Sequence, residues 1–351
     1  MRFEKMWTIV DSHTGGMGTR LVIGGFPPIP GKTMKERVEY FERNLKFMTS
    51  VALEPRIHDI IVPGIIAPPV SEKADFSLFF MGSSACIHGT IGAVTTLIEC
   101  GLVSPAEPTT EVKLDTPWGF IVARAHVRRG RVRSVTIRNV PCFFYAKVNI
   151  DLPKINKSDV PVNIAYGGDF YAYMNADCLG VQVLPQNLTK LLTVAAISIT
   201  AIRDEIKRQG IKIQHPEIPE RTWGGSVIIC DKPVRSNSHG RQCMIGFRDP
   251  KDISTSYWDR SPCGTGTSGL LACLYAEGKL GLNKEYVNES IIGSVFRGKL
   301  VSKAKVGKYE AVIPEITGSA WINLIGTQVV DPDDPFKYGL PSEVPFRWRP
   351  A

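Results

Sequence analysis

The chain holds no run of 18 apolar residues, which argues against a membrane-spanning helix. Residues Met1 to Val10 contain no apolar stretch of the signal-peptide kind, so a cytoplasmic location is expected rather than secretion. Cysteine is sparse, eight in 351 residues, and no Cys-x-x-Cys pair occurs. Neither a disulfide framework nor a paired-thiolate metal site is indicated, and a reduced compartment fits. Six of the eight (Cys100, Cys142, Cys178, Cys230, Cys243 and Cys273) lie in apolar stretches and are expected to be small buried hydrophobes. No nucleic-acid reader motif is present, although the net charge is +8. The basic residues do not concentrate; the densest group, Arg128, Arg129, Arg131 and Arg133 around Gly130, reads as a hairpin with a solvated tip. Nucleic acid and membrane are therefore not expected partners.

What is present is a globular composition, 43% hydrophobic and 22% charged. Glycine (32) and proline (25) exceed average usage, which favours turns and short strands over a helical bundle. The length suggests about two domains. Helices are predicted at Met34–Ser50, at 89–99 ending on Gly101, at Leu188–Gln209, and at 266–276 ending on Gly278. Strands are predicted at Ile60–Ile66, Phe76–Phe80, Phe120–Val127, Val132–Ile137, Ser226–Cys230 and Cys243–Phe247. The polar stretch Asp151–Pro161 reads as a linker between halves, and the tail from Asp331 as surface. The class is α+β.

An internal repeat sharpens this reading. Cys86-Ile-His-Gly-Thr-Ile-Gly92 and Cys263-Gly-Thr-Gly-Thr-Ser-Gly269 both read Cys-x-x-Gly-Thr-x-Gly. Each is followed by an apolar helix and by a glycine 15 residues after the cysteine, Gly101 and Gly278. The two cysteines stand 177 positions apart, about half the chain. Two similar halves are implied, each with a thiol at the mouth of a helix.

Helix N-termini leave backbone N–H groups unpaired and carry partial positive charge. Each segment therefore offers an anion cradle beside a thiol, and the same field is expected to lower the thiol pKa toward neutrality. Two thiols facing one another across a cleft suit removal of a proton from one face of a carbon and its return to the other. The residues alone leave other readings open. Cys86-x-His88 could be part of a metal site, but the usual Cys-x₂₋₄-Cys spacing is absent, so no metal is expected. An acyl-transfer nucleophile at Cys86 leaves the duplicated Cys263 unexplained. The Gly-Thr-Gly-Thr-Ser run lacks the Gly-Lys-Ser/Thr ending of a P-loop. Two buried cysteines at closely packed helix starts are the structural alternative.

Asp259-Arg-Ser-Pro-Cys-Gly-Thr-Gly-Thr-Ser268 resembles the second signature of the proline racemase family, and Cys86–Gly92 resembles the first. Asp11-x-His13-Thr14-x-Gly16, Glu54-Pro55-Arg56 with His58, Tyr166-Gly-Gly-Asp-Phe-Tyr171, Arg297-Gly298 and Thr317-Gly318 extend the likeness along nearly the whole chain. That family comprises proline racemases, 4-hydroxyproline 2-epimerases and trans-3-hydroxyproline dehydratases. The resemblance implies a diaminopimelate-epimerase-like fold. Two pseudo-symmetric lobes would each wrap a β-barrel-like sheet around a central helix, with the active site in the interdomain cleft. Residues 1–150 would form the lobe carrying Cys86, completed by 317–351, and residues 151–316 the lobe carrying Cys263.

The resemblance further implies that Cys86 and Cys263 are the acid/base thiols. His88 would face the substrate carboxylate and Asp259 the ring ammonium. Backbone around Ile87, Gly89, Thr90, Gly264, Thr265 and Gly266 would hold the substrate. Dehydratases resemble this pattern with Thr at position 263, so Cys there favours a cofactor-independent racemase or epimerase of proline or 4-hydroxyproline. A 3-hydroxyproline dehydratase, a non-catalytic amino-acid-binding relative and a redox-switched thiol pair are the competing readings. The expected ligand is a proline-like small molecule, and a homodimer is compatible with it. The chain departs from the family at Ile87 and Ile57, where glycine is usual, at Met17, where glutamate is frequent, and in the short loop Met81–Ala85. Trp258 adds bulk next to Asp259.

Overall fold

The computed structural model describes residues 3–57, 61–81 and 85–340. His58, most of the Met81–Ala85 loop and the tail beyond 340 lie outside the described residues. Among those described, the first lobe is built from β1 (Lys5–Thr14), β2 (Met17–Gly24), β3 (Ile61–Ala67), β4 (Phe76–Phe80), β5 (Thr109–Thr116), β6 (Gly119–Arg128) and β7 (Arg131–Arg138). The second contains β8 (Phe143–Leu152), β9 (Lys157–Tyr166), β10 (Phe170–Asn175), β11 (Val227–Asp231), β12 (Gly240–Phe247), β13 (Ser256–Trp258), β14 (Glu285–Ser290), β15 (Val295–Val306) and β16 (Tyr309–Gly318). The last strand, β17 (Ala320–Val330), returns to pair antiparallel with β1. The helices are α1 (Met34–Asn44), α2 (Ile87–Glu99), the single turn α3 (Ala176–Leu179), α4 (Leu188–Arg208) and α5 (Gly264–Ala276).

The two lobes follow one plan. Strands β1, β2, β3, β6, β7, β16 and β17 surround α2, while β8, β9, β10, β15 and β16 surround α5. Both inner helices are therefore apolar on all sides, as wrapped helices must be. Residues 87–98 of α2 are buried without exception, and α5 buries 264–269 and 271–273. The outer helices are amphipathic: α1 buries Phe41 against Trp7, Phe79 and Val330, and α4 buries Leu191, Ala195, Ile199 and Ile202 against β8 and β12. Each lobe also has one deeply buried ion pair, Asp11–Arg20 at 2.6 Å and Arg241–Glu289 at 2.7 Å. The lobes share core as well: Leu271 and Ala272 of α5 join the cluster around α2 with Phe296, Val312 and Ile316.

Several expectations are corrected. Asp151–Pro161 is no linker. It is the tip and outgoing strand of the β8–β9 hairpin, turned by Pro153–Ile155 and by Asn156 at φ +52°. Its polar residues sit on the hairpin's solvent side, while Val160, Val162 and Ile164 point into the core. The Met34–Ser50 helix ends at Asn44, and Lys46–Ala52 continues as a 3₁₀ helix. Of the six cysteines expected to be core, Cys142, Cys243 and Cys273 are buried but Cys100, Cys178 and Cys230 are half-buried. The Arg128–Arg133 hairpin does have an exposed tip, with Arg129 and Gly130 both at positive φ.

Candidate active site

The starts of α2 and α5 meet. Ile87, first residue of α2, lies directly against Gly264, first residue of α5: a Cβ on Gly264 would stand 2.5 Å from both Ile87 Cβ and Cγ2. Glycine is thus required there by close approach rather than by backbone conformation. Cys86 and Cys263 are the N-cap residues of these two helices, so both thiols sit at the seam between lobes. Ser294 Oγ donates to Gly15 O across the lobes at 2.7 Å, beside Ser261.

The two caps differ. Cys86 has extended backbone, and its Sγ accepts from the Gly89 amide at 3.3 Å, as an N-cap side chain should. His88 Nδ1 lies 3.4 Å from the same sulfur. Thr14 Oγ1 donates to His88 O at 2.8 Å, tying the first turn of α2 to β1. Cys263 has φ +51°, a left-handed conformation that costs a non-glycine residue on the order of 1–3 kcal/mol. A buried network holds it. Thr267 Oγ1 donates to Pro262 O at 2.8 Å and accepts from Asn288 Nδ2 at 2.9 Å. Gln242 Nε2 donates to Pro262 O at 2.6 Å, and the Cys263 amide donates to Ser261 Oγ at 3.2 Å. The Cys263 sulfur lies 3.8 Å from Thr265 Oγ1 and 3.9 Å from the hydroxyl of Tyr171 on β10.

The site is closed. Cys86, His88, Asp259 and Cys263 are 6%, 7%, 3% and 4% exposed. Asp259 accepts from the Ser261 amide at 2.8 Å, a local turn, and its own amide donates to Met244 O. Burial dominates the titration of every group. It pushes the Asp259 carboxyl up, with His88 and Ser261 opposing. It holds the His88 imidazole below its ordinary range, with Asp259 opposing. It raises both thiols, and the negative charge of Asp259 raises them further, although amide groups of the helix starts oppose it. The expected lowering of the thiol pKa is therefore overturned for this closed state, because desolvation exceeds the field of the helix ends. Asp259 acts on His88 and on both thiols, which places all four groups within one electrostatic neighbourhood.

Among the residues named from sequence, Cys86, Ile87, His88, Gly89, Thr90, Asp259, Cys263, Gly264, Thr265 and Gly266 are all buried in or beside these two helix starts. Sequence reasoning missed Tyr171, Thr267, Gln242 and Asn288 as parts of the surroundings of Cys263. The alternating Tyr171 and Tyr173 was the available signal, since a strand places both on one face. Among the described residues no cluster of three or more His, Cys, Asp or Glu side chains is placed to hold a metal. Among the described residues no helix is long and apolar enough to cross a membrane.

Comparison with known proteins gives a consistent result. The family model described as "Proline racemase" matches residues 9–341. A proline racemase of Clostridioides difficile is 39% identical over 346 residues, covering 97% of this chain and 99% of that relative. A 4-hydroxyproline 2-epimerase of Streptosporangium roseum is 37% identical with the same coverage. A crystal structure of a hydroxyproline epimerase from Agrobacterium vitis, with bound trans-4-hydroxy-L-proline, superposes with a TM-score of 0.84 at 29% identity, covering 99% of this chain and 98% of that one.

Proposed function

This chain belongs to the proline racemase family, and from that premise we propose that it inverts the Cα of proline or 4-hydroxyproline with two cysteines and no cofactor. The observation that carries the reading is the pairing of two helix starts, each with a cysteine at its N-cap position and joined at Ile87 and Gly264, around one buried carboxylate. One sulfur, as thiolate, takes the Cα proton from one face; the other, as thiol, returns a proton to the opposite face. The amide groups at both helix starts suit the substrate carboxylate, and Asp259 suits its ammonium. Neutralising the carboxylate while keeping the amine protonated stabilises the developing carbanion.

The raised thiols fit this scheme once the ligand's charge is counted. An ammonium set against Asp259 offsets the negative charge that now raises both sulfurs. Buried thiols also mean that the lobes must part to admit substrate, and closure then excludes water. The lobe built on β1–β7 with the returning β17, and the lobe built on β8–β16, are the two bodies we infer to move.

The test is proton NMR in deuterated water with L-proline, trans-4-hydroxy-L-proline and trans-3-hydroxy-L-proline in separate tubes. Loss of the Cα proton with appearance of the epimer identifies reaction and substrate together. Cys86→Ser and Cys263→Ser should each abolish epimer formation; survival of turnover in either refutes the two-base scheme. A pyrroline product would instead assign the protein to the dehydratases.

A further inference from the structure

The two thiols are served by different hydrogen-bond chemistry, and the difference falls on a residue with no part in the scheme above. Tyr171 lies on β10, which packs against α5, and its hydroxyl is 2.8 Å from Thr265 Oγ1. Both hydroxyls flank the Cys263 sulfur, at 3.9 Å and 3.8 Å. Tyr171 is 7% exposed and Thr265 is 4% exposed, so both hydroxyls are screened from bulk solvent. A hydroxyl donates once and accepts at its lone pairs, so the pair can reverse. When Cys263 is a thiol, its S–H donates to Tyr171 Oη. When it is a thiolate, the hydroxyl protons turn to face the sulfur. Around Cys86 the corresponding donor is the Gly89 amide, which cannot reverse, with His88 alongside.

We propose that Tyr171 is a positioning residue for Cys263, acting with Thr265 to orient the thiol when protonated and to support the thiolate when ionised. The inference deepens the two-thiol reading and rests on it for its catalytic meaning. The phenol itself stays protonated, because burial pushes Tyr171 up and the neighbouring Cys263 and Asp169 push it further. Among the described residues the other charged or titratable groups facing this cluster are Asp259 before α5, Tyr173 on β10, Cys142 before β8, Cys230 on β11 and Cys273 on α5. His88 and Cys86 on α2 face Asp259. Of these, Asp259 raises Cys263, whereas Tyr171, Thr265 and the Gly266 amide act in the opposite sense. The Cys86 sulfur has the Gly89 amide and His88 beside it instead of this hydroxyl pair.

That last point supplies an internal control. Iodoacetamide alkylation of Cys86 and Cys263 is followed by peptide mass spectrometry in one sample, over about pH 6 to 10, for the wild type and Tyr171→Phe. Losing one hydrogen bond to a charged group should slow alkylation at Cys263 about tenfold at each pH in this range. Cys86 should be unchanged. Equal slowing at both sulfurs, or none at Cys263, overturns the proposal. Thr265→Val and Thr265→Ser provide a second arm if Tyr171→Phe fails to fold: the valine should reproduce the slowing at Cys263 and the serine should not. No substrate is present. A protein that alkylates as expected yet leaves every proline derivative untouched would therefore fail the functional reading and keep this one.

Discussion

The contact between Ile87 and Gly264 yields the most searching prediction. In Gly264→Ala the new methyl lies 2.5 Å from Ile87 Cβ and Cγ2, against an ordinary carbon contact of about 3.5–4.0 Å. The deficit is roughly 1 Å. Ile87 cannot rotate away, because its Cβ is fixed to the backbone and a β-branched side chain in a helix has one strongly preferred rotamer. The helix starts must therefore separate. Overpacking of this kind costs about 1–3 kcal/mol, while alanine gains up to about 1 kcal/mol over glycine within a helix. With the full alanine gain the net loss is at most about 2 kcal/mol, which lowers Tm by a few degrees in a chain of this size.

The effect on turnover should be far larger. The displaced groups carry the two sulfurs, and a 1 Å misplacement of reacting groups can cost on the order of 100-fold. Only Ile87→Gly clears the clash, since the Cβ itself is in contact. The double variant Ile87→Gly with Gly264→Ala should then be more stable than the sum of the single changes by about 1–3 kcal/mol. Thermal melts and Cα deuterium incorporation read both quantities. If Gly264→Ala melts and turns over like the wild type, or if the two changes simply add, the helix starts do not meet as described.

Two further predictions concern buried charge. Burial raises the Asp259 carboxyl, so above the ordinary carboxylate range of about pH 3.9 the folded state retains a proton that the unfolded chain has lost. Stability therefore falls as pH rises through the folded pKa, and Asp259→Asn should raise Tm at neutral pH, on the order of 1 kcal/mol, while abolishing turnover. The gain should vanish in acid; a variant less stable than the wild type at pH 7 would contradict this. Glu289 has the opposite sign. Burial alone would raise it, but the Val234 and Arg235 amides and Arg241 outweigh burial and hold it low. Its contribution is present above the ordinary range and lost as pH falls through the folded value, and Glu289→Gln should cost about 3 kcal/mol in chemical denaturation.

The sequence made the repeat legible because local rules governed it. A helix start, a capping thiol and a terminal glycine are each short-range features, and Cys86 and Cys263 both became N-caps. The β8–β9 hairpin looks like a linker in the sequence because one face of an antiparallel pair is solvated; Asp151, Lys154 and Asp159 are exposed and polar, and the paired strand is not visible locally. The thiol titration is not legible in the sequence for a related reason. The helix-end field can be read from sequence, but the depth of burial that outweighs it depends on both lobes closing together. Tyr171 stands 92 positions from Cys263, and only the packing of β10 on α5 joins them.

The return of β17 to β1 has a consequence for how the molecule comes into being. Lys5 pairs with Val330 and Thr14 with Ala320, so β1 lacks that neighbour until almost the whole chain has left the ribosome. Helix α2 packs on both strands, and Cys86 caps α2. The seat of the first sulfur is thus among the last parts to be completed, although it is encoded early. Pairings of such sequence separation are slow to close. A nascent chain stalled before residue 320 has every group of the reaction already synthesised, and still lacks the wall that holds one of the two thiols in place.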